Sequence, residues 1–319
     1  MSEPQSKIKP ISLEGLRTSR LSDRQSKVSL EITGKVWEKG QSLGEFLRRL
    51  PAVLAGADLR EVVRRICESR KQKRPVLLGM GAHPIKVGLS PVIIDLMESS
   101  VLTGVAMNGA GIIHDAEMAL VGRTSEDVAA SLVDGSFGMS HQTADFLNNA
   151  IARKGKSGQG LGAAVGEALL EANVPHVEHS ILAEGFRLGV PVTVHVALGT
   201  DTIHIHPSVD PAATGTTTHL DFRIFAGMVA SLQGGVYLNL GSAVLLPEIF
   251  LKAITLVRNL GHQVENFTTL NMDFNRHYRP LVNVLKRPTQ EGGKGFELIG
   301  HHEIMLPLLA AAVIESLET

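Results

Sequence analysis

The chain has a single cysteine, Cys67, in 319 residues. No internal disulfide can form, which suits a reducing compartment. Cys67 falls inside the helical pattern "LREVVRRICESRKQKR", the setting of a core thiol rather than a nucleophile. Aromatic residues make up only 4%, too few for a surface that stacks bases. Neither charge sign dominates: 31 Lys and Arg face 32 Asp and Glu, so no nucleic-acid or acidic-membrane surface is implied. No uninterrupted apolar run approaches membrane-spanning length, and "MSEPQSKIKPISLEG" at the N-terminus lacks the apolar core of a signal peptide. The expectation is a cytoplasmic protein with no nucleic-acid or membrane partner. Catalytic signatures are missing too: there is no P-loop, no G-x-S-x-G elbow, no HExxH and no CxxC pair.

What the chain does have is apolar material, 44% of it, arranged in a rhythm. Residues 1–44 read as a polar, weakly periodic arm, and 45–319 as one domain. "SLGEFLRRLPAVLAG" and "DLREVVRRICESRKQ" carry apolar residues at helical spacing. Then come five short apolar runs: "PVLLGMG" (75–81), "VLTGVAMNG" (101–109), "GVPVTVHVALG" (189–199), "GGVYLNLGS" (234–242) and "QVENFTTLN" (263–271). Nearly all-apolar strands followed by helices imply a parallel sheet covered on both faces. Between the second and third runs the chain reads as mostly helical, with Ser125 as a cap, and "ARKGKSGQG" (152–160) as a flexible basic loop. "PEIFLKAITLVRNLG" places Pro247 in a first helical turn and Gly261 at a C-cap. The last segment, "EIMLPLLAAAVIESLE", is a terminal amphipathic helix. The fold class is therefore α/β: a Rossmann-like, doubly wound parallel sheet with an N-terminal helical extension.

In such sheets ligands bind beyond the carboxyl ends of the strands. Small residues mark all five expected ends: Gly79 and Gly81, Asn108 to Gly111, Gly199 to Asp201, Gly241 and Ser242, Thr268 and Thr269. A missing side chain lets a ligand approach the backbone, and helix N-termini offer N–H groups to an anion. Tight strand-to-helix turns need small residues anyway, and neither "GMGAHP" nor "GAGIIH" completes G-x-G-x-x-G. Thirteen histidines are also present, several near these ends. His204 and His206 in "GTDTIHIHPSVD" would share a face if extended, and with Asp201 could begin a metal site or serve as acid–base groups. No third ligand can be assigned, and contact with a ligand is the alternative. His114 and Asp115 follow each other in the first helical turn after the second run, pointing about 100° apart. One can face the crevice while the other braces the turn.

These segments carry a resemblance. "LLGMGAHPIKVGLSPVIIDLM", "VAMNGAGIIHDAEMALVG", "ALGTDTIHIH", "GGVYLNLGSAVLLPEIFLKAITLVRNLG", "HYRPLVNVLKRP" and "EIMLPLLAAAV" follow the order of motifs in the deoxyhypusine synthase family, which they resemble over roughly residues 45 to 319. The resemblance implies a homotetramer that binds NAD, oxidises a polyamine, forms an imine on a lysine and transfers a butylamine group. The NAD-contacting positions it implies are His83, Asn108, Gly109, Ala110, Gly111, Asp201, Gly241, Ser242 and Thr268, with Gly81 beside them. The family's acidic pair is replaced by Ile113 and His114, its later aspartates fall near His206 and at His301, and its histidine falls at Pro247 or Glu248. The imine-forming lysine aligns with Pro288, leaving Lys286 and Lys294 as the nearby candidates. A polycation needs carboxylates or aromatic faces, so the fold and cofactor crevice are expected to carry over better than polyamine binding. "MNGAGIIHDAEMALVGRTS" is also similar to the NAD-binding ornithine cyclodeaminase domain, which keeps His-Asp at this point. Together the readings name Lys286, Lys294, His114 and His206 as catalytic candidates. They imply a transferase or related NAD-dependent enzyme acting on a small amine or amino acid, with a metal-dependent hydrolase or lyase using His204 and His206 as the alternative.

Overall fold

A computed structural model describes residues 8–155 and 157–317; residues 1–7, Lys156 and 318–319 lie outside the described residues. Part of the N-terminal arm and one position of the 152–160 loop fall there. Residues 8–42 run along the outside with two single 3-10 turns, Leu21–Asp23 and Leu30–Ile32, and none of their side chains is buried. Ser42 then caps α1 (Leu43–Arg49) by accepting from the Glu45 N–H, and α2 (Leu54–Lys71) follows.

From there strands and helices alternate. β1 (Val76–Met80) leads to α3 (His83–Lys86) and α4 (Ser90–Glu98); β2 (Gly104–Asn108) leads straight into α5 (Gly109–Val121). The helical stretch holds α6 (Val128–Leu132), α7 (His141–Gly155), α8 (Leu161–Glu171) and α9 (Ile181–Leu188). β3 (Val192–His195), α10 (Pro211–Ala230), β4 (Val236–Leu240), α11 (Leu245–Asn259) and β5 (Thr268–Asp273) come next. A π-helical turn (Pro280–Lys286), β6 (Lys294–Ile299) and α12 (His302–Ser316) complete the chain.

All six strands are parallel, in the order β3-β2-β1-β4-β5-β6. The order reverses between β1 and β4, the doubly wound arrangement expected. Alternate strand residues feed two cores, because successive side chains point to opposite faces. Val76, Leu78, Met80, Val105, Met107, Val236, Leu238 and Leu240 join one core, with side chains of α2, α4, α5, α8, α9 and α12. Leu77, Ala106 and Tyr237 join the other, with Phe225, Phe250, Phe267 and Leu285 from α10, α11 and the connections around β5 and β6. Cys67 is half-buried against the first core, and burial pushes its thiol up from the ordinary value. Among the described residues no helix is long and apolar enough to cross a membrane.

Several local expectations change. Ser125 does not cap a helix: it takes left-handed φ, 70°, and Asp127 caps α6 by accepting from the Ala130 N–H. α5 starts at Gly109, not near Ile113. His114 therefore lies in its second turn. β5 begins at Thr268 and runs on to Asp273, so Thr268 stands at the amino end of its strand. β6 was unforeseen. Its buried Phe296 and Leu298 alternate with more exposed positions on an edge strand, so it lacks the continuous apolar run of the other five.

Candidate active site

The strand ends that sequence singled out separate into two neighbourhoods. At the reversal point, beyond β1 and β4, the protein packs against itself. A Cβ on Gly81 would lie 2.3 Å from the Gly241 carbonyl oxygen, and one on Gly241 2.5 Å from His302 Cε1. The glycines here are thus needed for backbone and ring to meet. His302 is fully buried, with ring centroids of His83 at 5.2 Å and Phe274 at 5.5 Å. Burial holds its imidazole below the ordinary value, opposed by the charge of Asp273.

The second neighbourhood is open. A cavity of about 1670 Å³ lies over α5, between α3, α6, α7 and the turn after β3. That exceeds the usual span for small-molecule sites, roughly 300–1,000 Å³. Ala110, His114, Asp201 and His206 line it; Asn108, Gly109 and Gly111 on either side of Ala110 do not, nor do Gly81, His83, Gly241 and Ser242.

α5 explains how this wall is built. Asn108, the last residue of β2, caps the helix by accepting from the Gly111 N–H at 3.0 Å. Gly122, left-handed at φ 68°, ends it and turns the chain back over the cavity. Asp115 points away into the interior. Fully buried, it accepts from the Ile181 and Leu182 N–H groups and the Ser180 hydroxyl at the start of α9; burial pushes it up to about 6. His114, one residue earlier, faces the cavity. The two split their tasks between crevice and brace as the helical geometry implied.

His114 Nδ1 lies 2.7 Å from Thr124 Oγ1, which donates to Glu117 Oε2. Glu117 Oε1 accepts from Thr143 Oγ1 at 3.1 Å, and Ser140 Oγ is 2.9 Å from Thr143 Oγ1. Burial holds the His114 imidazole below its ordinary value, with Glu117 opposing and Lys86 adding to the effect.

Across the cavity, Asp201 opens a 3-10 turn, Thr202–Ile205, that is anchored by Asn148 Nδ2 donating to the Ile203 carbonyl. Its carboxyl is 6% exposed, burial pushes its pKa up, and Oδ2 has no hydrogen-bond partner. A Cβ on Gly109 would fall 1.9 Å from that oxygen, so the carboxyl is seated on the bare backbone of the first turn of α5.

The turn also corrects the histidine pair. His204 and His206 are not on one extended face. His204 Nδ1 accepts from the Gly199 N–H at 3.2 Å, whereas His206 Nε2 donates to the Gly138 carbonyl at 2.8 Å. The rings are committed in different directions. Among the described residues no group of three or more potential ligands is placed to hold a metal ion.

Comparison with known proteins finds no match to any family profile and none among curated proteins. Solved structures do match. A candidate deoxyhypusine synthase from Entamoeba histolytica superposes with a TM-score of 0.55 at 13% identity, over 89% of this chain and 97% of that one. A candidate LOR/SDH protein from Methanococcus maripaludis S2 gives 0.54 at 14%, over 92% and 75%. AgrE, solved with ornithine and NAD+, gives 0.52 at 13%, over 81% of this chain but only 32% of AgrE. The cyanobacterial arginine dihydrolase ArgZ gives 0.50 at 15%, and again this chain spans only 33% of its length. The fold is Rossmann-like.

The remaining candidates lie elsewhere. Thr268 sits at the amino end of β5, where its hydroxyl accepts from Arg65 at 3.0 Å. Lys294 starts β6 beside Thr268, its Nζ 4.7 Å from the centre of the Phe296 ring. Lys286 is exposed at the last residue of the π-helical turn, next to Leu285, whose carbonyl lies over Gly295 of β6. None of these three is brought to the carboxyl ends of the strands within this chain. Sequence reading missed Glu117, Thr124 and Thr143. The spacing of His114 and Glu117, three apart on one helix, was the available signal.

Proposed function

We propose that the chain is an NAD-dependent enzyme that oxidises the amine-bearing carbon of a small amine or amino acid. One observation carries this reading: the cavity brings together Ala110 of the first turn of α5, the Asp201 side chain, whose Oδ2 is buried without a hydrogen-bond partner, and the imidazole of His114. The groups fit a dinucleotide on this side of the sheet at Ala110, the first-turn residue of α5 that lines the cavity, since Gly109 lies under the Asp201 carboxyl and the Gly111 N–H is taken by Asn108. They fit less well at Gly81 and Gly241, where packing fills the space a Cβ would take. Bound there, the nicotinamide would supply a hydride acceptor. The chain itself holds the substrate against the α5 wall, takes a proton at His114 and screens the cavity with residues 123–140.

Support comes from the fold shared with structures that include AgrE, whose complex holds ornithine and NAD+. The positions of Lys286 and Lys294 favour direct oxidation over transfer through a lysine imine. A homotetramer in the cytoplasm belongs to the same proposal, and sedimentation checks the first half of it. The test of the cofactor is calorimetric titration with NAD, followed by NADH absorbance with ornithine, arginine, lysine and spermidine. Heat and turnover with one of these are expected. No heat and no thermal shift at millimolar NAD would refute the reading.

A further inference from the structure

The hydrogen bonds around His114 have only one consistent direction. A carboxylate cannot donate, so the Thr124 hydroxyl spends its single proton on Glu117 Oε2. Its oxygen must therefore accept from His114, which puts the proton on Nδ1. Thr143 likewise donates to Glu117 Oε1, so Ser140 must donate to Thr143. Every link points toward Glu117. The neutral imidazole is left with its lone pair on Nε2, which makes no hydrogen bond among the described residues, on a ring that lines the cavity.

We propose that His114 is the general acid–base residue for a protonated amine bound in this cavity, with Glu117 and Thr124 as positioning residues that fix its tautomer. The proposal rests on the reading of the cavity as an amine site. In the forward step the Nε2 lone pair takes a proton from the bound ammonium, and the N–H electron pair stays on the substrate nitrogen as the free amine. The imidazolium that forms donates through Thr124 toward the Glu117 carboxylate, and returns its proton in the reverse step. The arrangement orients an imidazole through a hydroxyl rather than by direct contact with an acid. The charged groups on the surrounding walls are Lys86 from α3, Glu117 on the same helix, Arg123 and Glu126 in the segment beyond it, Asp145 and Arg153 on α7, Glu171 at the end of α8 and Asp201 across the cavity. Glu126 is engaged by the Gly138 N–H, and Glu117 is the acid linked to the ring. A neutral imidazole with a fixed lone pair is the form able to accept from an ammonium near neutral pH.

Long-range nitrogen–proton NMR of the histidine rings tests this in the full chain, with His114→Gln assigning the signal. Neutral His114 should show a protonated Nδ1 and a bare Nε2, the reverse of the tautomer favoured by free histidine. Thr124→Val should return it to the Nε2–H form and Thr124→Ser should not. Diethyl pyrocarbonate should acylate wild-type His114 at Nε2, read by mass spectrometry, and prior addition of putrescine should slow that modification. An Nε2–H tautomer in the wild type, or an unreactive His114 beside acylated surface histidines, would overturn the proposal. These readouts do not involve NAD. Failure of NAD to bind with the Nδ1–H tautomer present would remove the oxidation reading and leave the relay standing.

Discussion

Replacing Asp115 separates its role as a brace from any role in chemistry. Its carboxyl satisfies two backbone N–H groups and one hydroxyl at the start of α9, with the Ile181 N–H at 2.8 Å and Leu182 at 3.3 Å. Asp115→Ala strands three buried donors. An unsatisfied buried group costs about 1–3 kcal/mol, and the Ser180 hydroxyl can re-aim, so a loss of about 3–5 kcal/mol is expected. Asp115→Asn keeps one acceptor for Ile181 and should cost about 1–2 kcal/mol. The carboxyl also has a pH signature. Folding raises its pKa from 3.8 to about 6 because burial disfavours the charge. The folded state therefore holds the proton more tightly, and the associated stability is complete below the unfolded value and lost as pH rises through about 6. At about 1.4 kcal/mol for each pKa unit, that loss is about 3 kcal/mol. Asp221, pushed up to about 7, acts in the same direction. His195, pushed down to about 3 by burial, acts oppositely: its stability is complete above 6.5 and fades as pH falls. Both groups are present in wild type and Asp115→Asn, so they cancel in the difference. Urea denaturation of the two proteins between about pH 4 and pH 8 should show wild type losing about 2.4 kcal/mol relative to Asp115→Asn across that span, so that the variant is the more stable at the upper end. A difference that is flat with pH, or a wild-type advantage that grows toward high pH, would refute the reasoning.

Three further outcomes follow from the geometry. Tyr237→Phe should stabilise the protein by about 1 kcal/mol in the same assay, since the hydroxyl is buried without a partner and the ring stacks on Phe250 at 3.8 Å in either case. Gly109→Ala forces the buried Asp201 carboxyl off the first turn of α5; NAD affinity by calorimetry should fall at least about tenfold, roughly 1.4 kcal/mol, and the overlap should also cost about 1–3 kcal/mol of stability. Lys286→Ala and Lys294→Ala should leave NAD affinity and any turnover within about twofold, as expected of positions away from the site.

How far the fold could be read from sequence depended on how each strand is buried. β1 to β5 lie inside the sheet or under helices, and near-continuous apolar runs announced them. β6 is an edge strand whose charged and small residues interrupt the run, so "KGFELI" registered only as the surroundings of a lysine. The boundary of β5 failed for a related reason. "QVENFTTLN" looks like a strand finishing at Thr268 and Thr269, but its first residues form the approach, and Phe267 packs beneath the sheet instead. At the site, local spacing showed that His114 and Asp115 face different ways, but not which of them meets the cavity. It could not reveal Thr124, ten residues on, because that contact depends on the reversal at Gly122. Nor could it reveal Ser180, sixty-five residues away, as the partner of Asp115.

Thr124 belongs to neither of the elements it connects. His114 and Glu117 ride on α5, while Thr124 sits beyond Gly122 on the segment that also holds Glu126 and reaches Gly138, where His206 fastens it to the far wall. The same stretch of chain that roofs the cavity thus carries the oxygen that decides which imidazole nitrogen is bare. The tautomer of a ring on α5 is therefore set by a side chain outside α5, and a substitution at position 124 can move the ring's proton without touching the helix that carries it.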